Sequence, residues 1–204
     1  MCDGERWGRR QNEQASWRGR LRILDWLEDA ENELTVRGRA LIASLLEELR
    51  DLEERIAPYG RAIEQASVES ATCQRLRSIP GIGPMGATAV VATMGDPKAF
   101  KNGRHFAAFL GLVPRQHSSG GKSQLGRISR RGDVYVRRIL IQGAHSILKR
   151  IDQGEGARAT WLRALMARRG RQVAAVALAN KNARIAWRLL RHESRYDEAL
   201  AAAA

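Results

Sequence analysis

The 204-residue sequence predicts a mostly α protein: a long coiled-coil-type helix followed by a helical domain containing a helix-hairpin-helix. Three observations predict it. Apolar residues recur at heptad spacing through 42–63, a Pro/Gly-rich turn between two helical stretches follows at 78–84, and no convincing strand pattern appears after residue 34. A hydrophobic fraction of 44% is that of a chain able to bury a core, and it excludes wholesale disorder. No apolar run approaches the roughly 18 residues of a membrane span, and no charged-then-apolar leader opens the chain. Cys2 and Cys73 make neither a metal nor a disulfide signature and fit a reducing cytoplasm. His105, His117, His145 and His192 have no metal-ligand spacing.

Residues 1–21 show no helical or alternating period and read as a disordered lead. A helical linker spans 22–70. Within it Ile42, Leu45, Leu49, Leu52, Ile56, Tyr59 and Ile63 follow one another at spacings 3, 4, 3, 4, 3, 4, the a/d seam of a coiled coil, with Glu47, Glu48, Asp51, Glu53 and Glu54 on the wet sides. Two readings stand: an amphipathic helix packed on its own domain, or a helix that dimerises the protein through Ile42, Leu45, Leu49, Leu52 and Ile56. Pro58 removes a backbone donor and crowds the preceding turn, so a kink or break is expected near Ala57–Gly60.

The domain proper is expected over 71–196. A helix ending at about Ser78, the turn Ile79-Pro80-Gly81-Ile82-Gly83 and a second helix opening on Pro84 account for every residue type there. This is the sequence form of a helix-hairpin-helix, in which bare backbone N–H groups meet a DNA phosphate, making Pro80, Gly81, Ile82 and Gly83 candidate DNA contacts. A short helix over 102–110 should bury Phe106, Phe109 and Leu110, and residues 111–122 read as a loop. Asp133 can cap a helix running to Arg150, interrupted by Gly154 and Gly156, and a last helical region carries Trp161 to Leu189. Residues 197–204 form a featureless tail.

The net charge of +13 is unevenly placed. Residues 25–70 carry five basic and twelve acidic groups, whereas 71–204 carry 24 basic and seven acidic groups, 19 of the basic ones arginine. Arginine binds phosphate bidentately, so the second part points to a polyanionic partner, with a merely solubilising surface as the plainer reading. In the loop Ser118-Ser119-Gly120-Gly121-Lys122 two hydroxyls stand beside His117 among Arg115, Lys122, Arg127, Arg130 and Arg131. It lacks P-loop spacing. A serine attacking a phosphodiester needs the charge on nonbridging oxygens stabilised, and these cations could supply that; a phosphate-contacting surface loop is the alternative.

Four motifs stand in order: Ser78-Ile79-Pro80-Gly81-Ile82-Gly83, Gly95-Asp96-Pro97-Lys98-Ala99-Phe100-Lys101-Asn102-Gly103-Arg104, Leu110-Gly111-Leu112-Val113-Pro114-Arg115-Gln116-His117-Ser118-Ser119-Gly120-Gly121-Lys122 and Ile128-Ser129-Arg130-Arg131-Gly132-Asp133. Together they resemble the C-terminal half of transposases of the insertion-sequence 110/116/902 family, especially its 1111 branch. The run from Val176 to Trp187 is similar to that branch too, and the resemblance covers about residues 22–196. It implies the serine half of a two-part recombinase acting on a mobile DNA element, joined by a coiled coil to a RuvC-like nuclease half that carries four metal-binding acids. By motif match the nucleophile would be Ser119, with Ser118 as the alternative. It further implies DNA as partner, a dimer with itself or with a full-length transposase, an element-encoded guide RNA for some members, and a bacterial, nucleoid-associated cytoplasmic location. Phosphate-binding roles for Arg115, Lys122, Arg127 and Arg130 rest on their charge and proximity.

Only about 21 unrelated residues precede the match, and Asp3, Glu5 and Glu13 cannot be equated with the missing acids. The expectation is a truncated transposase with no metal site of its own, Mg²⁺ being required only with a complete RuvC-like half. By itself it should bind DNA without recombining it. A non-catalytic DNA-binding and dimerisation module and a decayed transposase remnant are the alternatives.

Overall fold

Helices carry most of the chain in a computed structural model that describes residues 22–29, 31–119 and 122–197. The lead 1–21 and residues 198–204 of the expected tail lie outside the described residues. The order is α1 (residues 22–28), α2 (Val36–Glu69), α3 (Ala71–Arg77), α4 (Pro84–Met94), α5 (Gly103–Phe109), β1 (Pro114–Ser119), β2 (Lys122–Ile128), α6 (Val134–Leu148), α7 (Gly156–Arg169) and α8 (Arg171–Arg191). Short 3₁₀ turns at Pro97–Ala99 and Ile151–Gln153 join α4 to α5 and α6 to α7. The chain divides into two units, one ending at Ala62 and one beginning at Ile63, with α2 running through the boundary.

In the first unit Thr35 starts α2, its hydroxyl accepting the Gly38 N–H at 3.1 Å. The Arg39 guanidinium reaches back to the carbonyls of Leu27 and Asp29, each at 2.6 Å, and so fastens the connection from α1. With 34 residues α2 is about 50 Å long. It runs through Pro58 without the expected break. Residues 51–62 are exposed, so water can take the Glu54 carbonyl that Pro58 leaves without a donor, and the cost is one lost bond rather than the helix. Along the seam Ile42 is half-buried, whereas Leu45, Leu49, Leu52, Ile56 and Tyr59 are exposed.

The second unit is organised around α8, whose buried positions are mostly alanine: Ala174, Ala175, Ala179, Ala183 and Ala186 beside Leu178, Ile185 and Leu189. Small side chains let neighbouring helices approach closely. A Cβ on Gly103 would lie 2.9 Å from the Arg184 carbonyl oxygen, so the start of α5 rests on the α8 backbone. Three α8 side chains hold loop carbonyls: Asn180 donates to Leu112 at 3.2 Å, Asn182 to Pro80 at 3.0 Å and the Trp187 indole N–H to Pro97 at 2.9 Å.

Caps set several boundaries where the sequence places them. Ser78 closes α3, Pro84 is the first residue of α4, Asn102 caps α5 and Asp133 caps α6. Two features differ. Phe106 and Leu110 are fully buried, but Phe109 turns outward and is 44% exposed. The stretch read as a loop with no strand forms an antiparallel β-ribbon, β1 against β2.

Candidate nucleic-acid interface

The turn between α3 and α4 buries Ile79 and Ile82 in the core, while Pro80, Gly81 and Gly83 are half-buried. Gly81 adopts φ +89°, a conformation that favours glycine. Its main constraint is internal: a Cβ on Gly143 of α6 would sit 1.8 Å from the Gly81 carbonyl oxygen, so this turn lies directly on α6. Around Gly83, by contrast, a Cβ would meet nothing within 4 Å. Gly83 is the N-cap of α4 without a side-chain cap bond, and the first N–H used by the helix is that of Ala87, on the Gly83 carbonyl at 2.8 Å. The Met85 and Gly86 N–H groups therefore have no helical acceptor, and the positive end of the helix dipole faces outward beside exposed Met85.

The ribbon pairs Gln116 with Leu125, His117 with Gln124, Ser118 with Ser123 and Ser119 with Lys122. Pro114 pairs with Ile128, so β2 contributes one extra residue near Gly126 and Arg127, a β-bulge at the ribbon base. The pairing places Ser119 and Lys122 across from each other as the last rung. Gly120 and Gly121, and the side chains of residues 117–119 and 122–125, lie outside the described residues. Arg115, Arg127, Arg130 and Arg131 are exposed at the base, and among the described residues none of them pairs with a carboxylate. The Arg115 guanidinium donates to the Ser129 carbonyl at 3.2 Å, bridging the two legs.

That base is locked to the helices by a group the sequence reading passed over. Arg137 of α6 is 7% exposed, and its guanidinium donates to the carbonyls of Leu110 at 2.9 Å, Arg131 at 3.2 Å and Asp133 at 3.4 Å. Buried charge is tolerable here because carbonyl oxygens replace its water. Gly111 (φ +71°) and Gly132 (φ +83°) make the junction possible, since a Cβ on either would lie 2.1 or 1.8 Å from a backbone oxygen of the other leg. The Ser129 N–H bonds the Val113 carbonyl at 2.8 Å and the Arg130 N–H that of Gly111 at 3.2 Å. A signal existed: Arg137 occupies the apolar period of Val136, Leu140, Ala144 and Leu148.

Asp133 completes the junction. Its carboxylate accepts the Val136 N–H at 3.0 Å and the Thr93 hydroxyl at 3.0 Å. The Val136 hydrogen bond is the main reason its carboxyl lies below the ordinary 3.8, with Thr93 and the Arg137 charge adding to it against partial burial. Among the described residues no three His, Cys, Asp or Glu side chains gather to hold a metal ion. The Mg²⁺ that the resemblance implies therefore has no donor set among the described residues. Asp3, Glu5 and Glu13 lie outside the described residues. No described helix is long and apolar enough to cross a membrane.

Residues 73–161 match the family described as Transposase IS116/IS110/IS902 family. A "Probable family 20 transposase" of Pseudomonas aeruginosa is 51% identical over 156 residues, 76% of this chain and 46% of that protein. The "Transposase for insertion sequence element IS1111A" of Coxiella burnetii is 43% identical over 80% of this chain and 45% of its own length. A "Pilin gene-inverting protein" of Moraxella lacunata is 40% identical over a shorter stretch of 45 residues. The chain thus spans less than half the length of these relatives. The matched segment, 73–161, contains the α3–α4 turn, the ribbon and the Arg137 junction, and the chain belongs to the IS116/IS110/IS902 transposase family.

Proposed function

We propose that this chain is the DNA-engaging, serine-bearing part of a transposase, and that the β1–β2 ribbon presents Ser119 to a DNA phosphate. The observation that carries this reading is the ribbon itself, with Ser119 in register with Lys122 at its last rung above Arg115, Arg127, Arg130 and Arg131. In the chemistry this permits, the Ser119 Oγ attacks phosphorus. An Oγ–P bond forms, the bond to one bridging oxygen breaks, and that oxygen leaves as a strand hydroxyl carrying a proton. Attack by the hydroxyl of another strand reverses the step and frees the serine. Lys122 and the arginines balance the charge gathering on the nonbridging oxygens. Ser118, one residue earlier on β1, is the alternative nucleophile.

The α3–α4 turn serves as a second, sequence-independent phosphate contact of helix-hairpin-helix type through the N–H groups of Gly81, Gly83 and Met85; Pro80 has no N–H, the Ile82 N–H is committed to the Ile79 carbonyl at 3.0 Å, and Gly86 is buried. The exposed seam of Leu45, Leu49, Leu52 and Ile56 supports pairing with a second copy or a longer family member. An element-encoded RNA would meet the same basic surface.

Fluorescence anisotropy with a labelled DNA duplex tests the reading. Wild type should bind with affinity that falls steeply as salt rises. Arg127→Ala combined with Arg130→Ala should weaken binding about tenfold, while Ser119→Ala should bind normally. Absence of salt-dependent DNA binding by the folded wild type would overturn the reading. The serine assignment is read separately, with the missing RuvC-like half supplied as a second chain: a denaturant-resistant adduct of this chain with DNA should be lost in Ser119→Ala and kept in Ser118→Ala.

A further inference from the structure

Away from the ribbon, a cleft of about 270 Å³ lies between the start of α5 and the C-terminal half of α8, lined by Asn102, Gly103, Arg104, Arg184, Trp187 and Arg188. Arg184 and Arg188 are one helical turn apart and share a face of α8. The close approach of Gly103 to the Arg184 backbone brings Arg104 in beside them. Three like charges thus converge, and among the described residues none of them pairs with a carboxylate. Burial chiefly, and the Arg104 charge after it, hold Arg184 below the ordinary arginine range, so the cluster carries a repulsion that an anion would relieve. Trp187 gives the cleft an aromatic wall fixed in place, because its indole N–H is committed to the Pro97 carbonyl.

A volume of 270 Å³ falls near the small end of ligand sites, about the room one nucleotide fills. Forked guanidinium donors match phosphate oxygens, and an indole face or edge is a sequence-tolerant partner for a base. A base held in a duplex stack could not reach such a wall, so the chemistry selects an unpaired nucleotide. We infer that the α5–α8 cleft binds one nucleotide of a single-stranded DNA segment, its phosphate on Arg104, Arg184 and Arg188 and its base against Trp187. This rests on the nucleic-acid reading above only for the kind of polymer; it assigns a second site and a different strand state.

The test uses the full chain and a 12-nucleotide oligothymidylate. Arg104→Ala combined with Arg188→Ala should weaken single-strand binding about tenfold or more and lower the salt slope by about 1.4, two charges' worth. The control Arg168→Ala combined with Arg169→Ala, exposed at the end of α7, removes equal charge elsewhere and should change affinity less than threefold. Melting temperatures matching wild type establish that each variant is folded. In parallel, the Trp187 indole N–H resonance, identified by its loss in Trp187→Phe, should shift saturably with oligothymidylate. Equal weakening in the cleft and control variants would overturn the proposal, as would saturation of the Trp187 signal by inorganic phosphate alone with no response to the oligonucleotide. Tighter use of the cleft by oligouridylate would overturn the DNA assignment. Failure of the duplex assay removes the ribbon reading instead, so the two outcomes are separable.

Discussion

In an exposed helix interior, exchanging glycine for alanine stabilises by about 1 kcal/mol, because alanine loses less backbone freedom on folding. Gly143 in α6 is placed to reverse that sign. An alanine Cβ there would lie 1.8 Å from the Gly81 carbonyl oxygen, against a floor of 3.0 Å for real contacts, so α6 and the α3–α4 turn must part by about 1.2 Å. Both surfaces are backbone, so no side chain can rotate away. Overpacking of this kind costs about 1–3 kcal/mol, and rigid partners put it near the top of that range. Subtracting the helix gain leaves a net loss of about 2 kcal/mol. For a unit of this size that lowers the melting temperature by about 6–10 °C. Circular dichroism at 222 nm during heating reads it. A melting temperature equal to or above wild type would refute the contact, and with it the claim that the turn is seated on α6.

Three further outcomes follow from other contacts. Arg137→Met removes a buried charged donor from three carbonyls and should cost about 3 kcal/mol; it should also speed tryptic cleavage at Arg130 and Arg131, and an unchanged melt would discard the junction as the ribbon's anchor. Asp133 has a lowered carboxyl pKa in the fold, so its contribution is complete above its ordinary value of 3.8 and is lost as pH falls through the lowered one. Asp133→Asn should therefore flatten the acid limb of stability against pH, and an identical limb would show that other carboxylates set it. Leu49→Asp on the exposed seam should convert dimer to monomer by light scattering, whereas a monomeric wild type would end the pairing proposal.

The parts of the fold legible in the amino-acid sequence were those governed by short-range chemistry. Asp133, Asn102, Ser78 and Pro84 mark helix ends because capping depends on a few neighbouring atoms. The ribbon escaped because its strands, Pro114–Ser119 and Lys122–Ile128, bear mostly polar residues and show no apolar alternation. The cue that remained was Gly120-Gly121 between two short runs, a common two-residue hairpin link. Gly81 was legible as a glycine that needs positive φ, but the reason for its tight surroundings lies 62 positions away in Gly143, which local sequence does not encode. Pro58 does not break α2 as its type suggests, since the cost of a proline falls where water can reach the orphaned carbonyl. The arginine candidates at the ribbon follow from type and spacing and Ser119 from the family resemblance, whereas the Arg137 junction at the ribbon base requires a tertiary view.

The asparagines and tryptophan of α8 make its stability a shared resource. Asn180, Asn182 and Trp187 span little more than two helical turns, yet they hold the leg of the ribbon at Leu112, the α3–α4 turn at Pro80 and the approach to α5 at Pro97. These three loops come from distant parts of the sequence, but they cannot loosen independently. Opening that stretch of α8 releases all three, so their amides should exchange with solvent as one cooperative unit. A ligand that tightens any one loop would then protect the other two, so that three separate surfaces would respond to it together.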